Sequence, residues 1–415
     1  MSEKKAPKDP EINGISRNKI NGSEGALDFS SDSYKAMLRD SLLSMGSTAR
    51  FEKAVKKAEA GKAVTIAFIG GSITQGAGAE PQVSECYAYK TFRGFTELFS
   101  KNGNVRLCKA GIGGTPSEFG VFRAGRDVLR CGDPDVVIIE FAVNDDIDET
   151  DGVAYESLVR RFLNLPSKPA VILLFALFMD DFNLQEKYGA VGRHYRLPMV
   201  SIKNAVSRQF NDASPFITRD RFFFDFYHPS NDGHTIMADC LINFFKTFKD
   251  GSFGDAGGDC DAEGAPLWGA SYENGFLIDK KDNPCGACIC PGSFTGTDND
   301  VQLAQFDQND AVFPVMPYNM MYDGTEYTED LTMELYCKNL VVMFKDTPDE
   351  SFTKAEVYVD DKFIRTLDPH ENDWIHCNTK LLINESKSRL HHVRITIPEG
   401  YRDKKFTIQG FGATD

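Results

Sequence analysis

AVTIAFIGGSIT, residues 63–74, is the stretch on which the fold turns. Its first seven residues form a continuous apolar, partly β-branched run. Such runs belong to strands buried on both faces, as in a parallel sheet. The run stops at Gly70-Gly71, where two glycines permit a sharp turn, and delivers Ser72 to the end of the strand. The same signature recurs at VVIIEFA after Asp135 and at AVILLFAL after Pro169. Segments of helical length lie among these strands: YAYKTFRGFTELFSKN, SEFGVFRAGRDVLRCG and YESLVRRFLNL, with GHTIMADCLINFFKTF later. Strands alternating with helices specify a three-layer α/β/α domain around a parallel sheet. Upstream, ARFEKAVKKAEAG carries apolar residues at helical spacing, with Ser47 or Thr48 as its cap and Gly61 at its end.

Further outward the character changes. Residues 1–33 read as a polar arm, 34–250 as the α/β domain, and 251–265, rich in Gly and Asp without a hydrophobic period, as a linker. In 266–415 the segments KAEVYVDDKFIRTL, HHVRITI and KKFTIQGFG alternate with period two between turn signals. They predict an antiparallel β-sandwich, jelly-roll-like in form.

With 415 residues and 41% hydrophobic content, the chain can build two cores. A formal net charge of -15 argues against nucleic acid as a partner, since phosphate binding needs a basic footprint. The first thirty residues are charged and polar, with no signal or anchor stretch, so a cytoplasmic protein without membrane attachment is expected. In that compartment the ten cysteines are read as reduced, most of them as small buried hydrophobes.

Four small-residue segments bear on chemistry: Gly70-Gly71-Ser72-Ile73-Thr74, Gly111-Ile112-Gly113-Gly114-Thr115, Val143-Asn144-Asp145-Asp146 and Asp225-Phe226-Tyr227-His228-Pro229. Each alone reads equally as a tight turn, a bend, a helix cap or a surface turn. Together and in this order they resemble the SGNH hydrolases, a lipase and esterase superfamily marked by Ser, Gly, Asn and His in four successive blocks. The likeness spans about residues 63–240, and its closing Asp-x-x-His-Pro pattern is intact. Departures are Gly71 for the family Asp, Lys109 for Asn in the second block, and Ala142-Val143 before Asn144-Asp145 in the third.

The resemblance implies a catalytic triad of Ser72, Asp225 and His228. A serine hydroxyl needs a base, His228, whose other ring nitrogen Asp225 can orient. It also implies three oxyanion donors: the backbone N–H of Ser72, the backbone N–H of Gly114 and the side-chain amide of Asn144. Gly114 holds the position of the family glycine, and Gly113 competes with it. GGSIT, EFAVNDD, AVILLF and HYRLPMVS further resemble bacterial carbohydrate acetylesterases, whose two-domain members, mannan acetylesterases of gut bacteria among them, pair the hydrolase with a β-sandwich like a carbohydrate-binding module.

The expected function is therefore removal of O-acetyl groups from plant-derived oligosaccharides, with no cofactor and no metal. Tyr87, with Tyr89 beside it, and Trp374 offer aromatic faces for sugar stacking, and the second domain is expected to wall the substrate cleft. A small ester is then expected to be hydrolysed even without that domain. The alternatives are a lipase or thioesterase acting on acyl chains, or a carbohydrate-binding protein with little catalysis. Assembly of identical copies is left open. Three other signals are set aside. His234 with Asp225 and His228 has zinc-like chemistry, but reads as a helix-start histidine. Cys285, Cys288 and Cys290 form CxxCxC, for which Cys260 is the nearby fourth ligand, and read as a reduced loop. His194 reads as a surface or packing residue, and RFFFDFYHP as a buried strand entering the catalytic loop.

Overall fold

The computed structural model describes residues 26–251, 260, 262–306 and 311–415, so most of the polar arm and of the linker lies outside the described residues. In the first half, six strands form one sheet: β1 (Leu42–Ser44), β2 (Val64–Gly70), β3 (Val105–Gly111), β4 (Val136–Glu140), β5 (Ala170–Phe175) and β6 (Met199–Ser201). Their spatial order is β1-β6-β5-β4-β2-β3; all neighbours are parallel except β1, which runs antiparallel on β6. The chain leaves β2 toward β3 on one side and returns to β4 on the other. That reversal opens a crevice beyond the carboxyl ends of β2 and β4, the place where open α/β sheets put their sites.

Alternate residues of the central strands feed two separate cores. Ile66, Phe68, Ile138 and Ile172 pack under α1 (Asp32–Ser41), α2 (Ala49–Glu59), α5 (Tyr87–Phe99), α9 (Ile202–Phe210) and α11 (Asn231–Lys249). Ala67, Ile69, Ile139 and Leu173 pack under α6 (Ser117–Asp127), α7 (Val153–Leu163) and α8 (Gln185–His194). Thr48 stands at the N-cap of α2, but its side chain makes no capping bond. RFFFDFYHP is not a strand. Arg219–Phe222 is one short helical turn, and the following loop closes on itself through the Phe224 N–H to the His228 carbonyl and a bridge between Phe223 and Pro229. Its aromatic run reflects Phe222 and Phe223 turning inward while Phe224 and Tyr227 turn out.

The second half is an antiparallel sheet. Its strands are β7 (Phe276–Ile278), β8 (Cys288–Cys290), β11 (Met320–Tyr322), β12 (Leu331–Asp346), β13 (Ala355–Val359), β14 (Lys362–Leu367), β15 (His376–Thr396) and β16 (Phe406–Thr414); a separate small ladder joins β9 (Leu303–Ala304) and β10 (Phe313–Pro314). The order is β11-β16-β12-β15-β13-β14, with β7 on β16 and β8 on β12. Bulges at Cys337/Asn339 and Leu340/Val341 bend the long β12–β15 ladder around one core. Up to Cys337, β12 alternates between buried and exposed; beyond Leu340 every residue is buried. There Val342 and Phe344 face the sheet's own core, whereas Val341 and Met343 join the core of α6 to α8. The two halves share that apolar layer. At Gly412 a Cβ would lie 2.4 Å from the Phe122 ring of α6, so only glycine lets the sheet approach this closely.

Candidate active site

Three strand ends and one loop converge in the crevice. After β2, Ser72 opens a single helical turn, Ser72–Gln75, and its Oγ lies 2.9 Å from Nε2 of His228. Nδ1 of His228 is 2.8 Å from Oδ2 of Asp225. The other Asp225 oxygen accepts the backbone N–H groups of Tyr227 and His228, each at 2.8 Å. Burial raises the Asp225 pKa, but the imidazole and these N–H groups outweigh it and hold the carboxyl below its usual range. The carboxylate therefore stays ionised and requires the proton on Nδ1, which leaves Nε2 free to accept one from Ser72.

The strand ends are held from behind. Arg123 of α6, fully buried, donates to the carbonyls of Gly70 at 2.9 Å and Ala110 at 2.8 Å, tying the ends of β2 and β3 together. Thr74 Oγ1 donates to Glu140 at the end of β4, 3.2 Å away, and pairs with the Tyr87 hydroxyl at 2.8 Å. Tyr87 is thus an internal brace with no exposed surface, which corrects its expected role as a sugar contact. Its backbone N–H donates to Nδ1 of His234, whose Nε2 meets the Ala77 carbonyl at 3.0 Å. Burial lowers the His234 pKa to about 4, so the ring is neutral with both nitrogens occupied.

The expected oxyanion donors are distinguishable by their partners. The Gly113 N–H donates to Oε1 of Gln75 at 2.8 Å and is committed. The N–H groups of Ser72 and Gly114 and the Nδ2 of Asn144 have no acceptor among the described residues. Asn144 buries its Oδ1 against Gly71, where a Cβ would fall 2.1 Å from that oxygen. Glycine at position 71 is what gives the amide its place. Asp145, next in sequence, accepts the Ser117 N–H at 2.7 Å and so caps α6, the helix before it and not the one after.

The second half reaches this crevice. Gly114 has φ +69°, and a Cβ there would meet Trp374 at 2.7 Å and His376 at 3.0 Å. Trp374 lies over His376 with ring centroids 4.7 Å apart, yet remains 41% exposed. The Asn144 loop is latched to the β domain as well: Glu149 accepts from Arg365 at 2.8 Å and from the Leu381 N–H at 2.7 Å, and Glu118 accepts from Thr379 at 2.6 Å. Arg123, Gln75 and Glu149 carry no motif, and sequence reading missed them. Cys285, Cys288 and Cys290 are exposed while Cys260 is buried in the core of α6 to α8. Among the described residues no cluster of three metal-ligating side chains forms. His194 is exposed and meets the Ala265 carbonyl at 2.9 Å, as a surface residue would.

Residues 68–236, a span that contains Ser72, Gly114, Asn144, Asp225 and His228, match the GDSL-like Lipase/Acylhydrolase family. This segment is a GDSL-like acylhydrolase domain. The whole chain is similar to a two-domain esterase active on acetylated mannans, solved alone and co-crystallised with mannopentaose. Both structures are 27% identical to it with a TM-score of 0.74; 91% of this chain is covered, with 99% of the chain solved alone and 98% of the one with mannopentaose. No curated protein matches the chain. Family and likeness together make the acylhydrolase an enzyme acting on esters. No described helix is long and apolar enough to cross a membrane.

Proposed function

We propose that the protein is a serine esterase that removes O-acetyl groups from plant-derived oligosaccharides, acetylated manno-oligosaccharides foremost, through an acetyl-serine intermediate. The observation that carries this reading is the continuous relay Ser72 Oγ, His228, Asp225, at 2.9 and 2.8 Å, beside three unpartnered donors. Ser72 Oγ attacks the acetyl carbonyl carbon while Nε2 of His228 takes its proton. Negative charge gathers on the carbonyl oxygen, where the N–H of Ser72, the N–H of Gly114 and the Asn144 amide receive it. The bond from carbon to the sugar oxygen breaks, and His228 returns the proton to that oxygen. Water then attacks the acetyl-serine, again giving a proton to His228. Collapse releases acetate and restores Ser72.

The carbohydrate preference is supported by likeness to the mannan esterase along both domains and by Trp374, an exposed ring suited to stacking on a sugar beside Gly114. The test is acetate release from acetylated mannan, xylan and pectin oligosaccharides, with long-chain acyl esters as comparison and Ser72→Ala as the control. Acetate from mannan fragments, abolished in Ser72→Ala, is the expected result. Preference for long acyl chains would overturn the carbohydrate assignment, and turnover by folded Ser72→Ala would overturn the mechanism.

A further inference from the structure

We infer that Gln302, from the β half of the chain, is a positioning residue that aims the Gly114 N–H at the oxyanion, so the hydrolase domain does not carry a complete oxyanion hole of its own. This rests on the esterase reading above.

A trans peptide unit is planar, with its C=O and N–H pointing in opposite directions. Whatever fixes the Gly113 carbonyl therefore fixes the direction of the Gly114 N–H. Nε2 of Gln302 donates to that carbonyl at 2.9 Å. Gln302 is itself held, because its Oε1 accepts the Cys377 N–H of β15 at 3.0 Å. A carbonyl on one side and an N–H on the other leave the amide a single orientation. It is 6% exposed, so water does not compete freely for either bond.

The remaining contacts close the other routes by which this peptide could turn. Gln75 Oε1 takes the Gly113 N–H, and Gln75 Nε2 reaches the Leu303 carbonyl at 3.4 Å. Lys109, which stands where the family has Asn, donates to the Gln75 carbonyl at 3.0 Å and to Gln305 at 2.8 Å, and its N–H bonds the Phe306 carbonyl at 3.0 Å. Residues 302–306 thus lie along the edge of β3, and Gln302 and Gln75 together hold the Gly113 carbonyl and N–H. Gly114 needs such a grip: at φ +69° glycine has no Cβ to restrict it, and a donor that is free to rotate contributes little to a developing charge.

The test compares Gln302→Glu and Gln302→Met with the wild type on a small activated acetate ester. Glu keeps the acceptor for Cys377 and replaces only the donor by an oxygen that repels the Gly113 carbonyl; Met keeps the length without either group. Both are expected to lose kcat by ten- to a hundredfold with KM within about twofold, the pattern of an interaction made in the transition state. Methaneboronic acid forms a tetrahedral adduct on a catalytic serine with an oxygen in the oxyanion position. Its inhibition constant should rise by the factor that kcat/KM falls, while inhibition by acetate stays unchanged. A general loss of packing would not track the adduct in this way, and melting curves identify a variant that has simply lost its fold. Should Gln302→Met unfold, Gln302→Glu still decides. Wild-type kcat in folded Gln302→Glu, or loss of kcat with unchanged boronate affinity, would overturn the inference. An inactive wild type would instead overturn the esterase reading itself.

Discussion

Adding one methyl group at Gly71 is expected to remove most of the activity while leaving the fold intact. The new Cβ would lie 2.1 Å from Oδ1, 2.6 Å from Cγ and 2.9 Å from Nδ2 of Asn144. Ordinary contact begins near 3.4 Å, so the amide must retreat by about 1.3 Å (3.4 minus 2.1). A catalytic donor tolerates about 0.5 Å. Since the displaced group is the end of a side chain, the energetic cost of moving it is small. Thermal melts therefore separate this displacement from a loss of the fold. An oxyanion donor is worth about 3–4 kcal/mol, so Gly71→Ala should lose kcat by roughly a hundred- to a thousandfold. The assay is steady-state hydrolysis of a small acetate ester, with thermal melts alongside. The double variant Gly71→Ala/Asn144→Ala sharpens it: once the amide is gone the methyl has room, and the pair should be no slower than Asn144→Ala alone. Wild-type kcat in Gly71→Ala, or a double variant slower by the product of both losses, would refute the reasoning.

Burial raises the Glu140 pKa to about 8, with the Thr74 hydroxyl only partly offsetting it. The unfolded chain then holds fewer protons than the native one from about pH 4.5 to 8, so stability falls as pH rises through that window; Glu140→Gln should flatten the fall in thermal melts, and an unchanged slope would show that Glu140 is not its source. Trp374→Ala should cost more on acetylated oligosaccharides than on a small ester, measured as the ratio of the two kcat/KM values; equal losses would place the ring outside substrate recognition. Because α6 to α8 share a core with β7, β12 and β15, the whole chain should unfold in one calorimetric transition, and two separated transitions would show that the halves are independent.

The fold was legible where local chemistry decides it. β2, β4 and β5 announced themselves because burial on both faces demands an unbroken apolar run. β3 did not, since Arg106 and Lys109 interrupt VRLCKAG; it lies at the edge of the sheet, and the buried Lys109 bonds to Gln75 and Gln305. The helices read from the sequence reappear as α2, α5, α6, α7 and α11. The β half was legible as alternation but not as a bent ladder, because the bulges in β12 follow from which half of that strand faces α6 and α7, a tertiary fact.

The site divides along the same line. Asp225 and His228 are three residues apart and Ser72 follows a strand end, so their motifs are local and their 2.9 and 2.8 Å contacts could be anticipated. Gly114 holds the position of the family glycine with Gly113 as a competitor, and what separates the two is a side chain, Gln75, taking one N–H and not the other. The group that orients the free one sits 189 residues further along the chain, as a glutamine in a segment without motif or period. A hydrogen bond across that distance exists only after both halves have folded. The same holds for the Glu149 latch to Arg365, 216 residues away, on the loop that carries Asn144. On the inference drawn above, two of the three proposed oxyanion donors are braced by the β half, which runs against the expectation that a small ester needs only the α/β half. If that half determines where the donors point, removing it should reduce the chemical step itself, for small and large esters alike.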